Sequence, residues 1–79
     1  MHVKVRYFAM LREKAGVSEE SVEGSFTSYT ELYDFLNKKH GFDLPATMVQ
    51  VAVNDEFTSM NASVEAESRV VFIPPVAGG

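Results

Sequence analysis

Residues 2–8 alternate, with Val3, Val5 and Tyr7 pointing one way and Lys4 and Arg6 the other. A period of two over that length predicts a half-buried strand. Residues 9–15, AMLREKA, are good helix formers, and Gly16 stands where a left-handed residue ends a helix. A short helix is therefore expected there. Val17 to Phe26 sets Val22 and Phe26 among Ser, Glu and Gly, the pattern of an exposed edge strand or an extended loop. Ser28-Tyr29-Thr30-Glu31 fits a capping box: the Ser28 hydroxyl accepts from the Glu31 amide, and the Glu31 carboxylate from the Ser28 amide. The main helix should then run from about Tyr29 to Lys39, with Tyr29, Leu32, Tyr33, Leu36 and His40 on one stripe and Phe35 beside them. Lys38 and Lys39 complement the dipole of its last turn, and Gly41 is the stop.

Pro45 breaks the chain, and Val49, Val51 and Val53 alternate with Gln50 and Ala52 as a second strand. Asn54-Asp55 reads as a turn, and Glu56 to Thr58 as a short return strand. The run Arg69-Val70-Val71-Phe72-Ile73 is apolar on both faces, as a central strand requires. Pro74-Pro75 ends it, because neither proline can donate to a ladder. The order β, short α, edge β, long α, β, short β, β predicts an α+β roll, a sheet packed on one main helix. Val3, Val5, Tyr7, Val51, Val53, Val70 and Phe72 are the expected sheet half of its core. Val70 and Phe72 lie on one side of the last strand, Val71 and Ile73 on the other, and only one side can face the helix. The other side is expected to need a partner.

Seventy-nine residues make one small domain. With no cysteine there is no disulfide, thiolate metal site or thiol nucleophile, and a reducing compartment such as the cytoplasm is expected. His2 and His40 are too far apart in sequence to suggest a metal cluster. A net charge of −4 argues against a nucleic-acid binder. No apolar run approaches the roughly 20 residues that span a bilayer, and no charged-then-apolar leader marks a signal peptide. Without export, Asn61-Ala62-Ser63 is a chance glycosylation sequon. Glu19-Glu20 and Asp55-Glu56 read as a solvated edge and a turn, Arg12 and Glu13 as an exposed pair, and His40 as a surface residue complementing the helix dipole.

The terminus is the unusual feature. Pro-Pro-Val-Ala-Gly-Gly has no polar side chain, whereas a merely solvated tail would be more hydrophilic. The prolines favour an extended, projecting segment. Gly78 and Gly79, lacking side chains, could thread a narrow channel and bring a main-chain carboxyl to a buried reaction centre. A free α-carboxyl, with a pKa near ~3.5, is an anion at neutral pH and a poor electrophile, so it would need activation by a partner that uses ATP.

These residues resemble the ubiquitin-like sulfur carriers and, within them, the MoaD family, whose members are small subunits of molybdopterin synthase. Phe8-Ala9-Met10-Leu11-Arg12-Glu13 is similar to the motif after that family's first strand, and Val51-Ala52-Val53-Asn54 to its third-strand signature. Val70 through Gly79 is similar to its C-terminal block, of which Phe-x-Pro-Pro-Val-x-Gly-Gly is the specific part. The resemblance covers the whole chain, with one departure. Where the family usually shows an Asp-Gly-Asp-type turn, this chain has Ala66-Glu67-Ser68-Arg69, with no glycine.

The resemblance implies a β-grasp domain over residues 1–75 and a flexible C-terminal tail over 76–79. It implies that an E1-like adenylyltransferase adenylates Gly79 and that a sulfur donor system converts it to a thiocarboxylate. The sulfur then goes to cyclic pyranopterin monophosphate in the large synthase subunit, within a heterotetramer. The carrier itself would be non-catalytic and would bind no cofactor, the ATP being used by the activating partner. Gly79 would be the reactive residue and Gly78 the threading one, while Phe72, Pro74, Pro75, Val76 and Ala77 would meet the partner. Sulfur carriage for thiamine or tRNA thiolation, and ubiquitin-like protein modification, are the alternative readings.

Overall fold

Strand β1 forms over His2–Tyr7, where the alternation predicts it, and Val3, Val5 and Tyr7 are buried. The computed structural model describes residues 1–75. Helix α1, Ala9–Ala15, ends on Gly16 at φ 79, a conformation that costs glycine nothing. Strand β2 is Glu19–Glu23, and Val22 is its buried residue. Helix α2, Tyr29–His40, runs one residue beyond the expected end and stops at Gly41 in the left-handed region. Strands β3 (Gln50–Val53), β4 (Glu56–Thr58) and β5 (Arg69–Ile73) complete the set. A 3₁₀ turn at Ala46–Met48, which the sequence pattern did not indicate, carries the chain from Pro45 into β3.

The five strands form one sheet in the order β2-β1-β5-β3-β4. β5 lies at its centre, parallel to β1 and antiparallel to β3, while both hairpins, β1–β2 and β3–β4, are antiparallel. Helix α2 covers one face with Tyr29, Leu32, Tyr33 and Leu36, all buried. The seven sheet residues expected in the core are all buried there, joined by Leu11 from α1 and Phe42 from the chain after α2. This is the β-grasp roll that the resemblance implies.

Three local expectations change. The Ser28 hydroxyl does accept from the Glu31 amide, at 3.2 Å. The Glu31 carboxylate, however, accepts from the Thr27 hydroxyl at 2.7 Å, in place of the Ser28 amide. Phe35 lies off the buried stripe, exposed beside Phe26, because the stripe follows the three-and-four spacing from Leu32 to Leu36. His40 is not a free surface residue, as described below.

The segment before β5 explains the missing glycine. Glu67 occupies the left-handed region at φ 59, so a side chain stands where glycine would be unstrained. Its amide donates to the His2 carbonyl at 2.7 Å, which holds the turn in place. Glu67→Gly should therefore raise the unfolding free energy by about 0.5–1 kcal/mol, the strain relieved less the extra entropy of glycine. The exposed His2–Glu67 contact at 3.8 Å offers little to lose. A urea titration checks this: the midpoint should rise at an unchanged m-value.

Candidate functional site

The candidate site is the root of the C-terminal segment and the sheet face beside it. In the parallel pairing Tyr7 lies opposite Phe72, so β1 and β5 finish at the same end of the sheet. Phe8 continues β1 in extended conformation and is 47% exposed. Ala9, at φ 50, then turns the chain sharply into α1. Pro74 is buried and Pro75 exposed at the point where the chain leaves β5.

Registers align a row across all five strands on the face away from α2: Phe57, Ala52, Val71, Arg6 and Glu19. Ile73 stands one step along, opposite Gln50. Phe57 is 70% exposed, and Ala52, Val71 and Ile73 are half-buried, with no helix of the described residues on this face. The row is apolar on β4, β3 and β5 and becomes charged on β1 and β2. Arg69 at the start of β5 pairs with Asp55 of the β3–β4 turn at 3.0 Å, an exposed ion pair of small energetic value. Along this row no nucleophile stands beside a base. What the face can offer is adhesion next to the segment that leaves β5.

Phe72, expected to meet a partner, is fully buried against the Tyr33 ring. Its outward neighbours on β5 are Val71 and Ile73, because α2 covers the Val70 and Phe72 side. Val76, Ala77, Gly78 and Gly79, and the expected flexibility of the tail, lie outside the described residues. Phe57 was not among the expected site residues. The signal for it was local: a two-residue turn with both residues at positive φ fixes the register and sets Phe57 opposite Ala52.

A second polar constellation lies on the helix side of the sheet. Glu20 was expected on a solvated edge, but its side chain is only 17% exposed and that of His40 only 12%. The Glu20 carboxylate accepts from the Tyr7 hydroxyl, from His40 Nε2 at 2.6 Å and from Lys39 Nζ at 3.1 Å. Burial, followed by the hydrogen bond and charge of Glu20, pushes the Tyr7 hydroxyl far up. The Tyr33 phenol is pushed up to about 12 by burial and by the nearby Asp34 charge, and it donates to the Leu44 carbonyl at 2.7 Å. Both phenols therefore stay protonated and act as donors. The signal for Glu20 was the alternation itself, since counting back from buried Val22 turns Glu20 inward.

A hollow of about 420 Å³ opens between the start of α2 and β4 and is lined by Tyr29, Val53, Phe57 and Glu65 among others. At its wall the Glu65 amide donates to the Tyr29 hydroxyl at 3.2 Å. No helix of the described residues is long and apolar enough to cross a membrane.

A β-grasp sheet whose central strand runs straight into a Pro-Pro-Val-Ala-Gly-Gly segment, beside an uncovered apolar face, defines a ubiquitin-like carrier domain. More particularly, the chain belongs to the ThiS family, whose model matches residues 5–79. It is 30% identical over 81 residues to a molybdopterin synthase sulfur carrier subunit of Arabidopsis thaliana, covering all of this chain and 84% of that protein. Among solved structures it resembles a putative molybdopterin converting factor, subunit 1, from Pyrococcus furiosus. The TM-score is 0.81 at 30% identity, over 96% of this chain and 99% of that one. The same fold occurs in a complex of subunits 1 and 2 of molybdopterin-converting factor from Helicobacter pylori. There the TM-score is 0.65 at 24% identity, with both chains fully covered.

Proposed function

We propose that this chain is the sulfur carrier subunit of a molybdopterin synthase. The observation that carries the reading is the central strand β5 leading through Pro74 and Pro75 into Val-Ala-Gly-Gly, within a full-length likeness to proteins named for that role. In this reading the reactive group is the Gly79 carboxylate. Its oxygen attacks the α-phosphate of ATP on an E1-like adenylyltransferase and expels pyrophosphate. A sulfur donor then displaces AMP, leaving a thiocarboxylate. Thiocarboxylate sulfur is a softer and stronger nucleophile than carboxylate oxygen, and it attacks cyclic pyranopterin monophosphate in the large subunit. Release of the carrier by water regenerates the carboxylate.

Gly78 threads the partner's channel, and Pro75, Val76 and Ala77 line it. Pro74, being buried, acts by fixing where the segment leaves the domain. Phe72 supports the docking face from beneath, and Val71, Ile73, Ala52 and Phe57 make the contact. The carrier holds no cofactor of its own, and its ATP-dependent loading and lack of cysteine suit the cytoplasm. Both partners need the same segment, so their docking on this face is mutually exclusive.

The test is loading followed by transfer. The carrier is incubated with an adenylyltransferase, ATP and a sulfur source, and its intact mass is measured. Replacement of one oxygen by sulfur at Gly79 is expected, followed by molybdopterin formation once the large subunit and pterin precursor are added. Isopeptide conjugates on lysines of other proteins, with no molybdopterin, would overturn the reading in favour of a modifier.

Pro75→Ala separates tail ordering from chemistry. Ordering a backbone residue costs roughly 1–2 kcal/mol, and proline removes part of that cost in advance. The variant should bind the large subunit about two- to fivefold more weakly, by loss of about 0.4–1 kcal/mol. It should fold as before, because Pro75 is exposed. Titration calorimetry measures this, and a preformed thiocarboxylate should keep its intrinsic reactivity.

A further inference from the structure

The core-facing side of β2 carries only two side chains, Glu20 and Val22. Val22 is apolar and buried; Glu20 is a carboxylate. An ionised carboxylate turned inward on an edge strand must be met by donors or it destabilises the strand. Three meet it. The Tyr7 hydroxyl comes from β1, next to β2 in the sheet. Lys39 Nζ and His40 Nε2 come from the last turn of α2. A carboxylate can only accept, so Nε2 carries the proton of that 2.6 Å bond. The Phe42 ring, from the chain after α2, packs edge-on against Tyr7 and tilted against His40, shielding the cluster. These are the ionisable groups turned toward Glu20. Glu19 and Arg6, a register pair, point to the opposite face.

We propose that Glu20 is an acid-released latch: ionised, it ties the edge strand β2 to the C-terminal turn of α2, and protonated, it lets β2 open ahead of the rest of the fold. On the core-facing side of the sheet the joints among β1, β5 and β3 are apolar. Val3 and Val5 on β1, Val70 and Phe72 on β5, and Val51 and Val53 on β3 do not change charge with pH. The Glu20 joint does. Protonation removes the negative charge that Lys39 Nζ and His40 Nε2 meet at the end of α2. On its core-facing side β2 then keeps the Val22 contact, beside its ladder to β1.

The sign follows from the same contacts. Partial burial alone would push the Glu20 carboxyl up, but the bonds from Tyr7, His40 and Lys39 outweigh it and hold the carboxyl below its ordinary value of 4.5. The latch therefore contributes in full above that ordinary value and is lost as pH falls through the lower folded one. Opening of β2 uncovers the outer edge of β1, whose backbone groups could then accept another extended strand.

Native-state hydrogen exchange of the full chain, expressed as protection factors and read by NMR, tests the latch. At neutral pH, Glu20→Gln should lower protection of the β2 amides on the order of tenfold while the β3 and β5 amides keep theirs. The unsubstituted protein should show the same selective loss on acidification. If Glu20→Gln is poorly folded, His40→Gln serves instead. It leaves Glu20 ionised, moves the Glu20 titration, followed at its carboxyl carbon, upward toward 4.5, and brings β2 opening to higher pH. The proposal is overturned if β2 and β5 lose protection together at every pH, or if neither substitution changes β2 selectively.

Discussion

Deleting Gly79 should abolish sulfur transfer and leave thermal stability where it was. The two halves of that expectation rest on different parts of the molecule. Among the described residues the hydrophobic core cluster runs from Val3 to Phe72, and the packing that sets the unfolding transition is expected to end before the last glycines. The chemistry, on the proposed reading, begins at the final carboxyl. Removing Gly79 moves that carboxyl back by one residue, beyond the reach of a partner built to receive it at full length. Adding a residue after Gly79 should be equally damaging, and Gly78→Ala milder, acting through steric conflict in the channel. The measurements are a calorimetric melt and a reconstituted molybdopterin assay on the same preparation. Activity in the deletion variant would sink the proposed role of Gly79; a large drop in melting temperature would show that the segment belongs to the folded domain.

Phe72→Ala and Val71→Thr, adjacent on one strand, should fail in opposite ways. Phe72 is fully buried against Tyr33, so truncation leaves a cavity and should cost about 3–5 kcal/mol. Against a total stability of ~5–15 kcal/mol, that brings a domain of this size near unfolding at ambient temperature. Val71→Thr keeps the β-branched shape and should change stability by less than about 1 kcal/mol. It places a hydroxyl in the middle of the uncovered apolar row, where docking on a partner would bury it without a donor or acceptor to meet it. Affinity for the large subunit should fall by about 1–3 kcal/mol, roughly 5- to 150-fold. Chemical denaturation and calorimetric titration of the two variants separate the effects. If Val71→Thr binds normally, the docking face lies elsewhere.

The contrast between these neighbours also marks where local pattern stops being informative. Alternation over Arg69–Ile73 established that Phe72 and Val71 face opposite ways, and the strand formed over just those residues. Which side is covered depends on where α2 lands, and that is a tertiary contact between Tyr33 and Phe72, far apart in sequence. Phe72 was accordingly counted both with the core, where it belongs, and with the partner surface. The capping serine, the stop glycines and the Asn-Asp turn were legible because each acts through backbone groups a few residues away. The parallel pairing of β1 with β5, and the meeting of Glu20 with His40 across two elements, were not, because no local propensity records them. At Glu67 a rule of local preference is broken, and the His2 carbonyl holds the strained residue in place.

The central position of β5 has a mechanical consequence. A partner that grips the terminal segment and pulls along the strand loads two ladders at once, the parallel one to β1 and the antiparallel one to β3. Their hydrogen bonds lie across the line of force, so they resist together in shear instead of opening one after another like a zipper. An edge strand such as β2 or β4 has a ladder on one flank only and would give way sooner. The segment proposed to be seized and released at every round of loading and delivery is thus rooted in the strand best braced against traction.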